Sequence, residues 1–199
     1  MDKRVGIAFL PGAAGERALL SRLAAGEDDA YRECYEVHAA SLLRILVRLV
    51  RNQAVAEEIL QETFIAAFKN VGSFRGETKL STWLTGIALR RGFNAIRGES
   101  RRVKNTPASP ESGPSPEPWL ADRDMTRKIL AVLDEMEPEK KAALLLQAEG
   151  YTAAEIAQMS DEPRGTILSR LARARAELAE RAAAAGLSDS SALLEGEGR

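Results

Sequence analysis

The amino-acid sequence predicts an all-α protein built as two small helical units joined by an extended linker. Apolar residues recur at helical spacing along most of its 199 residues, Ala, Leu, Glu and Arg abound, and β-branched runs are scarce. Towards the middle, Pro107, Pro110, Pro114, Pro116 and Pro118 are interleaved with Ser100, Ser109, Ser112, Ser115 and Gly113. Such a stretch cannot bury enough apolar area to offset the entropy of ordering it. The length suits one or two compact domains.

The expected order is a loosely held N-terminal arm (residues 1–15), a first helical unit (16–98), the linker (99–118), a second unit (119–184) and a disordered tail (185–199). The arm has no periodicity. A short helix from Glu16 carries Leu19, Leu20 and Leu23 and stops near Gly26, a C-cap. Glu27 or Asp28 opens a longer helix with a broad apolar face that includes Tyr31, Tyr35, Leu42, Ile45, Leu46 and Leu49; it ends near Arg51-Asn52. Gln53 to Phe68 and Ser81 to about Gly98 complete a four-helix core, with Ser81 or Thr82 as N-cap of the last. In the second unit, Ile129, Val132, Leu133 and Met136 mark one helix. Pro138 suits the first turn of the next, which carries Ala142, Leu144, Leu145 and Leu146 and ends at Gly150. Thr152 and Glu155 form a capping box for a short helix through Met159. Ser160-Asp161-Glu162 turns the chain, and a last helix runs from Pro163 or Arg164 to about Ala184.

Net charge is −1 at pH 7, which argues neither for nor against nucleic acid. Its distribution is more telling. From Lys79 to Lys104, seven bases (Lys79, Arg90, Arg91, Arg97, Arg101, Arg102, Lys104) stand against one acid, Glu99, the clustering of a phosphate footprint. Arg101-Arg102-Val103-Lys104 is either a solvated helix end or a phosphate contact. The single Cys34 excludes an internal disulfide and reads as a small buried apolar residue. His38, the one histidine, has no sequence partner for metal or catalysis and reads as structural. There is no glycine-rich phosphate loop and no G-x-S-x-G. No enzymatic activity, cofactor or metal is expected. Arg44, Arg48 and Arg51 break the longest apolar runs, and Pro11 interrupts the short apolar start after Lys3-Arg4. Neither a membrane span nor a signal peptide follows, and the protein is expected to be cytoplasmic.

Two stretches carry the chemistry. Ala56 to Phe68 places Ile59, Leu60, Phe64, Ala67 and Phe68 on one helix face and Glu57, Glu58, Gln61 and Glu62 on the other. A loop with Phe74-Arg75-Gly76 leads into Ser81-Thr82-Trp83-Leu84-Thr85-Gly86-Ile87-Ala88, whose helix turns basic at Arg90, Arg91 and Arg97. An acidic and a basic helix side by side suit two different partners. This stretch closely resembles region 2 of bacterial RNA polymerase sigma factors of the extracytoplasmic-function (ECF) class, in the sigma-70 family. The resemblance implies that Glu57, Glu58, Leu60, Gln61, Glu62, Phe64 and Ile65 dock on core polymerase, chiefly its β′ clamp helices. It implies that Asn70, Ser73, Phe74, Arg75, Lys79, Ser81, Trp83, Arg90, Arg91, Asn94 and Arg97 meet the minus-ten element. In that class the loop pockets an extruded base; extrusion costs a few kcal/mol, and stacking on an aromatic ring returns about 1–3 kcal/mol. Phe74 and Trp83 are the aromatic candidates, with core packing the stronger reading for Trp83. Arg90 and Asn94 stand where members often have Asn and Asp, and both changes favour phosphate.

Thr152 to Leu178 reads as a helix-turn-helix. Ala157 lets two helices cross closely, Ile167 and Leu171 bury, and Arg164, Thr166, Ser169, Arg170 and Arg173 project outward. The early ones face base edges, while Arg173 and Arg175 suit phosphates. Gly165-Thr166-Ile167-x-Ser169-Arg170-Leu171-x-Arg173-Ala174-Arg175 is similar to region 4 of the same class, with Leu168 where many members have a basic residue. With Thr152, these residues form the implied minus-thirty-five contact. The two resemblances cover roughly residues 16 to 182 and imply a sigma factor. Its implied partners are core polymerase (β′ clamp helices and β flap), promoter DNA and an anti-sigma protein. The alternative, a helix-turn-helix regulator acting without polymerase, leaves the acidic helix and the Phe74 loop without a purpose. The linker of about 21 residues, at roughly 3.1 Å each, reaches on the order of 65 Å.

Overall fold

The computed structural model describes residues 13–74, 76–105 and 123–187. These form eight helices, α1 (Ala13–Ala24), α2 (Asp28–Val50), α3 (Gln53–Lys69), α4 (Leu80–Asn105), α5 (Arg123–Asp134), α6 (Pro138–Ala148), α7 (Ala153–Ser160) and α8 (Arg164–Ala184), with a 3-10 turn at Val71–Ser73. No strand occurs among the described residues. The expected arm up to residue 12, the linker from 106 to 122 and the tail from 188 lie outside them.

Local sequence sets the breaks. Gly26 takes a left-handed φ of 79° after α1, and Arg51 takes one of 60° between α2 and α3. Asn52 then accepts the Val55 N–H at 3.1 Å and starts α3. Pro138 occupies the first turn of α6, and the Thr152–Glu155 capping box at α7 is made in both directions. The turn into α8 places Asp161 at a φ of 55°. α4 opens under an unexpected cap: the Glu16 carboxylate of α1 accepts the Leu80 N–H. It also runs on to Asn105 rather than stopping near Gly98, because one glycine costs a helix only about 1 kcal/mol.

The four helices of the first unit close over one apolar core that includes Leu19, Leu23, Leu46, Leu60, Phe64 and Leu84. Tyr31, Phe68 and Phe64 stack in series, with ring centroids 4.7 and 5.6 Å apart. Leu46 and Ala30 are fully buried. His38 is 8 % exposed on the same buried face of α2 as Cys34. Burial pushes the Cys34 thiol up to about 12 and the His38 imidazole down to about 4.

That histidine makes stability pH-dependent. The unfolded chain takes up its proton near the ordinary value and the folded chain only near 4, so stability falls as pH drops through that interval. The loss approaches about 3 kcal/mol below pH 4. Urea titrations of wild type and His38→Leu between pH 7 and 4 should therefore diverge, with the variant losing less stability. Parallel profiles would show that the imidazole titrates freely.

The second unit does not stand apart from the first. A single apolar cluster joins Ile45 and Leu49 of α2 and Leu89 of α4 to Leu133, Met136, Leu146, Ile156 and Met159. Gly86 lets α7 approach α4 so closely that a Cβ there would lie 3.2 Å from the Met159 carbonyl oxygen. Around this seam Glu149, 11 % exposed, accepts from Arg44 at 2.7 Å and Arg48 at 3.0 Å. Arg51 pairs with Asp134 at 2.9 Å and Lys79 with Glu155 at 2.8 Å. Lys141, buried, bridges Asp134 (2.6 Å) and the Leu49 carbonyl (3.2 Å). The Thr85 and Tyr151 hydroxyls share a 3.1 Å hydrogen bond. One helical turn before Gly86, the Thr82 hydroxyl is buried without a hydrogen-bond partner, at a cost of about 1–3 kcal/mol. A seam rimmed by charge resembles a separable domain contact more than a permanent core.

Candidate nucleic-acid and partner interfaces

α3 presents its acidic side to solvent. Glu57, Glu58, Gln61 and Glu62 are exposed, and Ile65 is 53 % exposed beside them. Gln53 donates to Glu57 at 2.6 Å. Leu60 and Phe64, grouped with these residues by resemblance, are corrected by the structure: both are core residues. They fall on the opposite side of the helix, where Phe64 supports the exposed ring of Tyr35 at 4.9 Å. The surface available to a partner is thus acidic and amide-bearing, with Ile65 and Tyr35 as its apolar members.

The loop after α3 is shaped from within. The Asn70 side chain donates to the Ala66 carbonyl at 2.8 Å and the Ser73 hydroxyl to the Asn70 carbonyl at 2.7 Å. Gly76 turns at a φ of 70°. Phe74 and Trp83 stack with centroids 5.0 Å apart and planes at 36°. Both rings are half-buried, so their outer faces form an aromatic platform at the head of α4. Arg75 lies outside the described residues. Ser81 is half-buried.

Along α4, Arg90, Asn94 and Arg97 are exposed, and Arg97 donates to Asn94 at 2.8 Å. Arg91 reaches back to α3 and pairs with Glu62, so the acidic and basic surfaces are tied together. Lys79 is turned toward the second unit by Glu155, whose hydrogen bond raises the lysine pKa. Burial pushes the Glu155 carboxyl up, but hydrogen bonds from Lys79 and Thr152 outweigh it and hold the carboxyl below its usual range.

In the helix-turn-helix, Ile167, Leu171 and Ala174 form the inner side of α8, whereas Arg164, Thr166, Leu168, Ser169 and Arg173 are exposed. Arg170 behaves differently from its neighbours. It is held against Glu162, with one contact at 2.8 Å, and that guanidinium keeps the Glu162 carboxyl low. Arg170 therefore braces the turn instead of projecting to a ligand. Arg173 folds onto the Ser169 carbonyl at 3.2 Å, Ser169 donates to the Thr166 carbonyl at 2.9 Å, and Arg175 is half-buried. Thr152 is exposed but engaged in the α7 cap.

Sequence reasoning did not single out Glu16, Glu149 or Glu162, which respectively cap α4, clamp the two units and brace the turn. Arg44 and Glu149 meet across 105 residues of sequence, a separation at which no local pattern signals contact. Among the described residues no group of His, Cys, Asp or Glu could hold a metal ion, and no helix is long and apolar enough to cross a membrane.

Comparison with known proteins agrees with this layout. The sigma-70 region 2 family profile matches residues 34–102, and the sigma-70 region 4 profile matches residues 126–178. The chain is 31 % identical over 166 residues to the ECF RNA polymerase sigma factor SigM of Mycobacterium tuberculosis, covering 81 % of each chain. It is 27 % identical over 173 residues to the ECF RNA polymerase sigma-E factor of Haemophilus influenzae, covering 80 % of this chain and 91 % of that one. Its fold is similar to that of the sigma factor RpoE from Bartonella quintana, solved with the anti-sigma factor NepR. The TM-score is 0.65 at 22 % identity, over 76 % of this chain and 95 % of that one. With two family profiles in order on the two helical units, and a relative above 30 % identity over most of both lengths, the chain belongs to the ECF class of sigma-70 family factors, which direct promoter-specific transcription.

Proposed function

We propose that α3 docks on core polymerase through Glu58, Gln61, Glu62 and Ile65, that the Phe74–Trp83 platform takes a base pulled from the minus-ten element, and that α8 reads the minus-thirty-five element. The observation that carries this reading is the adjacency of an exposed acidic helix face and a half-buried aromatic pair on one helical unit. Carboxylates beside an exposed isoleucine suit a basic helical partner, and a π-face suits an unpaired base of any identity. Arg90, Arg97 and Asn94 extend the platform toward the flanking duplex. The polymerase performs the chemistry and this chain supplies no catalytic group. It acts in the cytoplasm, on the polymerase found there.

The closed arrangement has to open for this work. The two elements are about 25 base pairs apart, roughly 85 Å of duplex at about 3.4 Å per step. Lys79 of one reading surface touches Glu155, next to the other, at 2.8 Å. A neighbour of the same fold was solved with an anti-sigma factor, and a similar protein is a reasonable inhibitor of this chain. Adding a co-purified inhibitor should abolish initiation in a reconstituted reaction; transcription that tracks only the abundance of the sigma factor would count against it.

The direct test is Glu58→Lys, chosen because Glu62 also serves Arg91. Affinity for core polymerase, measured by titration with labelled chain, should fall at least tenfold while helix content and melting stay as in wild type. Unchanged affinity would remove α3 from the docking surface. A wild-type chain that binds no core polymerase would leave the helix-turn-helix regulator as the better reading.

A further inference from the structure

The exposed arc of the reading helix α8 is less polar than its arginine content suggests. Leu168 is 48 % exposed, and only Tyr35 and Ile65 are its equals among large exposed apolar residues in the described chain. Tyr35 leans on Phe64, and Ile65 belongs to the acidic face of α3. Leu168 belongs to none of the apolar clusters, and the inner side of α8 is complete without it. One turn further on, Ala172 is exposed on the same side. An apolar strip therefore runs along the first turns of the helix, the part that enters a major groove.

A second observation points outward as well. Gly165, the second residue of α8, is exposed, and a Cβ built there would meet nothing within 4 Å. Nothing inside the protein requires glycine at this place, where it is unfavourable in a helix. With Ser169 and Ala172 it gives α8 an outer surface of small side chains, over which the helix can come close to base edges. The hydrogen-bonding groups nearby are mostly engaged. Arg170 is held by Glu162, Ser169 donates to Thr166, and Arg173 folds onto Ser169. Arg164 remains exposed at the start, one turn before Leu168.

We propose that Leu168, with Ala172 beside it, reads the C5-methyl group of thymine in the major groove, making Leu168 a specificity-determining residue of the upstream promoter element. In the major groove, thymine alone among the bases offers a methyl group, and apolar side chains recognise it. Arg164 then selects a guanine or a phosphate near that thymine. The inference rests on the sigma-factor reading of the helix-turn-helix.

The test uses the full chain assembled with core polymerase. Duplexes with a randomised upstream region are selected for binding, and the enriched duplex is remade with each thymine replaced in turn by deoxyuridine, which lacks only the methyl group. At one or two upstream positions the replacement should weaken wild-type binding about fourfold, the worth of one buried methyl group. Leu168→Ala should weaken binding to the thymine duplex by a similar factor and be indifferent to uracil at the same position. Leu168→Arg should move the selected base there toward guanine. If uracil costs nothing at any upstream position, or costs Leu168→Ala as much as wild type, the proposal is overturned while the sigma reading stands. If the wild-type assembly selects no element, both fall together. Leu168 lies outside the cores, so circular dichroism of the variants should match wild type and exclude misfolding.

Discussion

Glu149→Lys should open the molecule. Glu149 is a carboxylate held between Arg44 and Arg48 at the seam, and its reversal puts a third cation beside them. Removing one partner of a buried pair costs about 3–5 kcal/mol; the two guanidinium groups are partly solvated here, so about 2–3 kcal/mol is the better expectation. That shifts the closed-to-open ratio roughly 30- to 150-fold. Dyes on Glu36→Cys and Glu180→Cys, both exposed positions on the two units, would report it as a fall in energy transfer. Cys34 would not interfere, because its buried thiol is pushed up to about 12. Adding Arg44→Glu and Arg48→Glu to the lysine variant should restore transfer. If assembly with core polymerase requires the open form, the single variant also assembles more readily. Transfer unchanged in Glu149→Lys would show that the apolar cluster alone holds the seam.

Gly86→Leu should separate the units by a different route. The obstacle is the α7 backbone at Met159, with the carbonyl oxygen at 3.2 Å and Cα at 3.3 Å from a Cβ built on Gly86. Backbone cannot swing aside as a side chain can, so a leucine there fits only if α7 moves away. Inside α4 the same change favours the helix by up to about 1 kcal/mol. Helix content should thus be kept or raised while energy transfer falls as far as in Glu149→Lys. Loss of helix would mean that Gly86 serves the first unit itself, and unaltered transfer would mean that α7 tolerates the bulk.

How far the sequence could be read depended on the range of each interaction. Caps and turns are short-range, so Thr152 with Glu155, Pro138 at the head of α6 and the stop at Gly26 were all legible. Helical periodicity marked Ile167 and Leu171 as inner and Arg164 and Thr166 as outer, as the structure has them. The same periodicity does not say what covers an apolar face. Ile45 and Leu49 read as parts of a four-helix core, yet together with Leu89 they pack against Leu133, Leu146 and Ile156 of the other unit. Resemblance to a docking motif likewise grouped buried residues with exposed ones, which is how Leu60 and Phe64 joined the surface set. Arg170 looked free because Glu162, eight positions earlier, comes beside it only once the turn is folded.

The pair between Glu62 and Arg91 couples the surface proposed for core polymerase to the one proposed for the promoter. A basic partner that claims the carboxylate leaves the guanidinium without its counter-ion, and a phosphate is the natural replacement. On the proposed roles, arrival of either macromolecule improves the grip on the other, because the coupling is reciprocal. Under that proposal, a single exchange of ionic partners across two neighbouring helices links the two binding events.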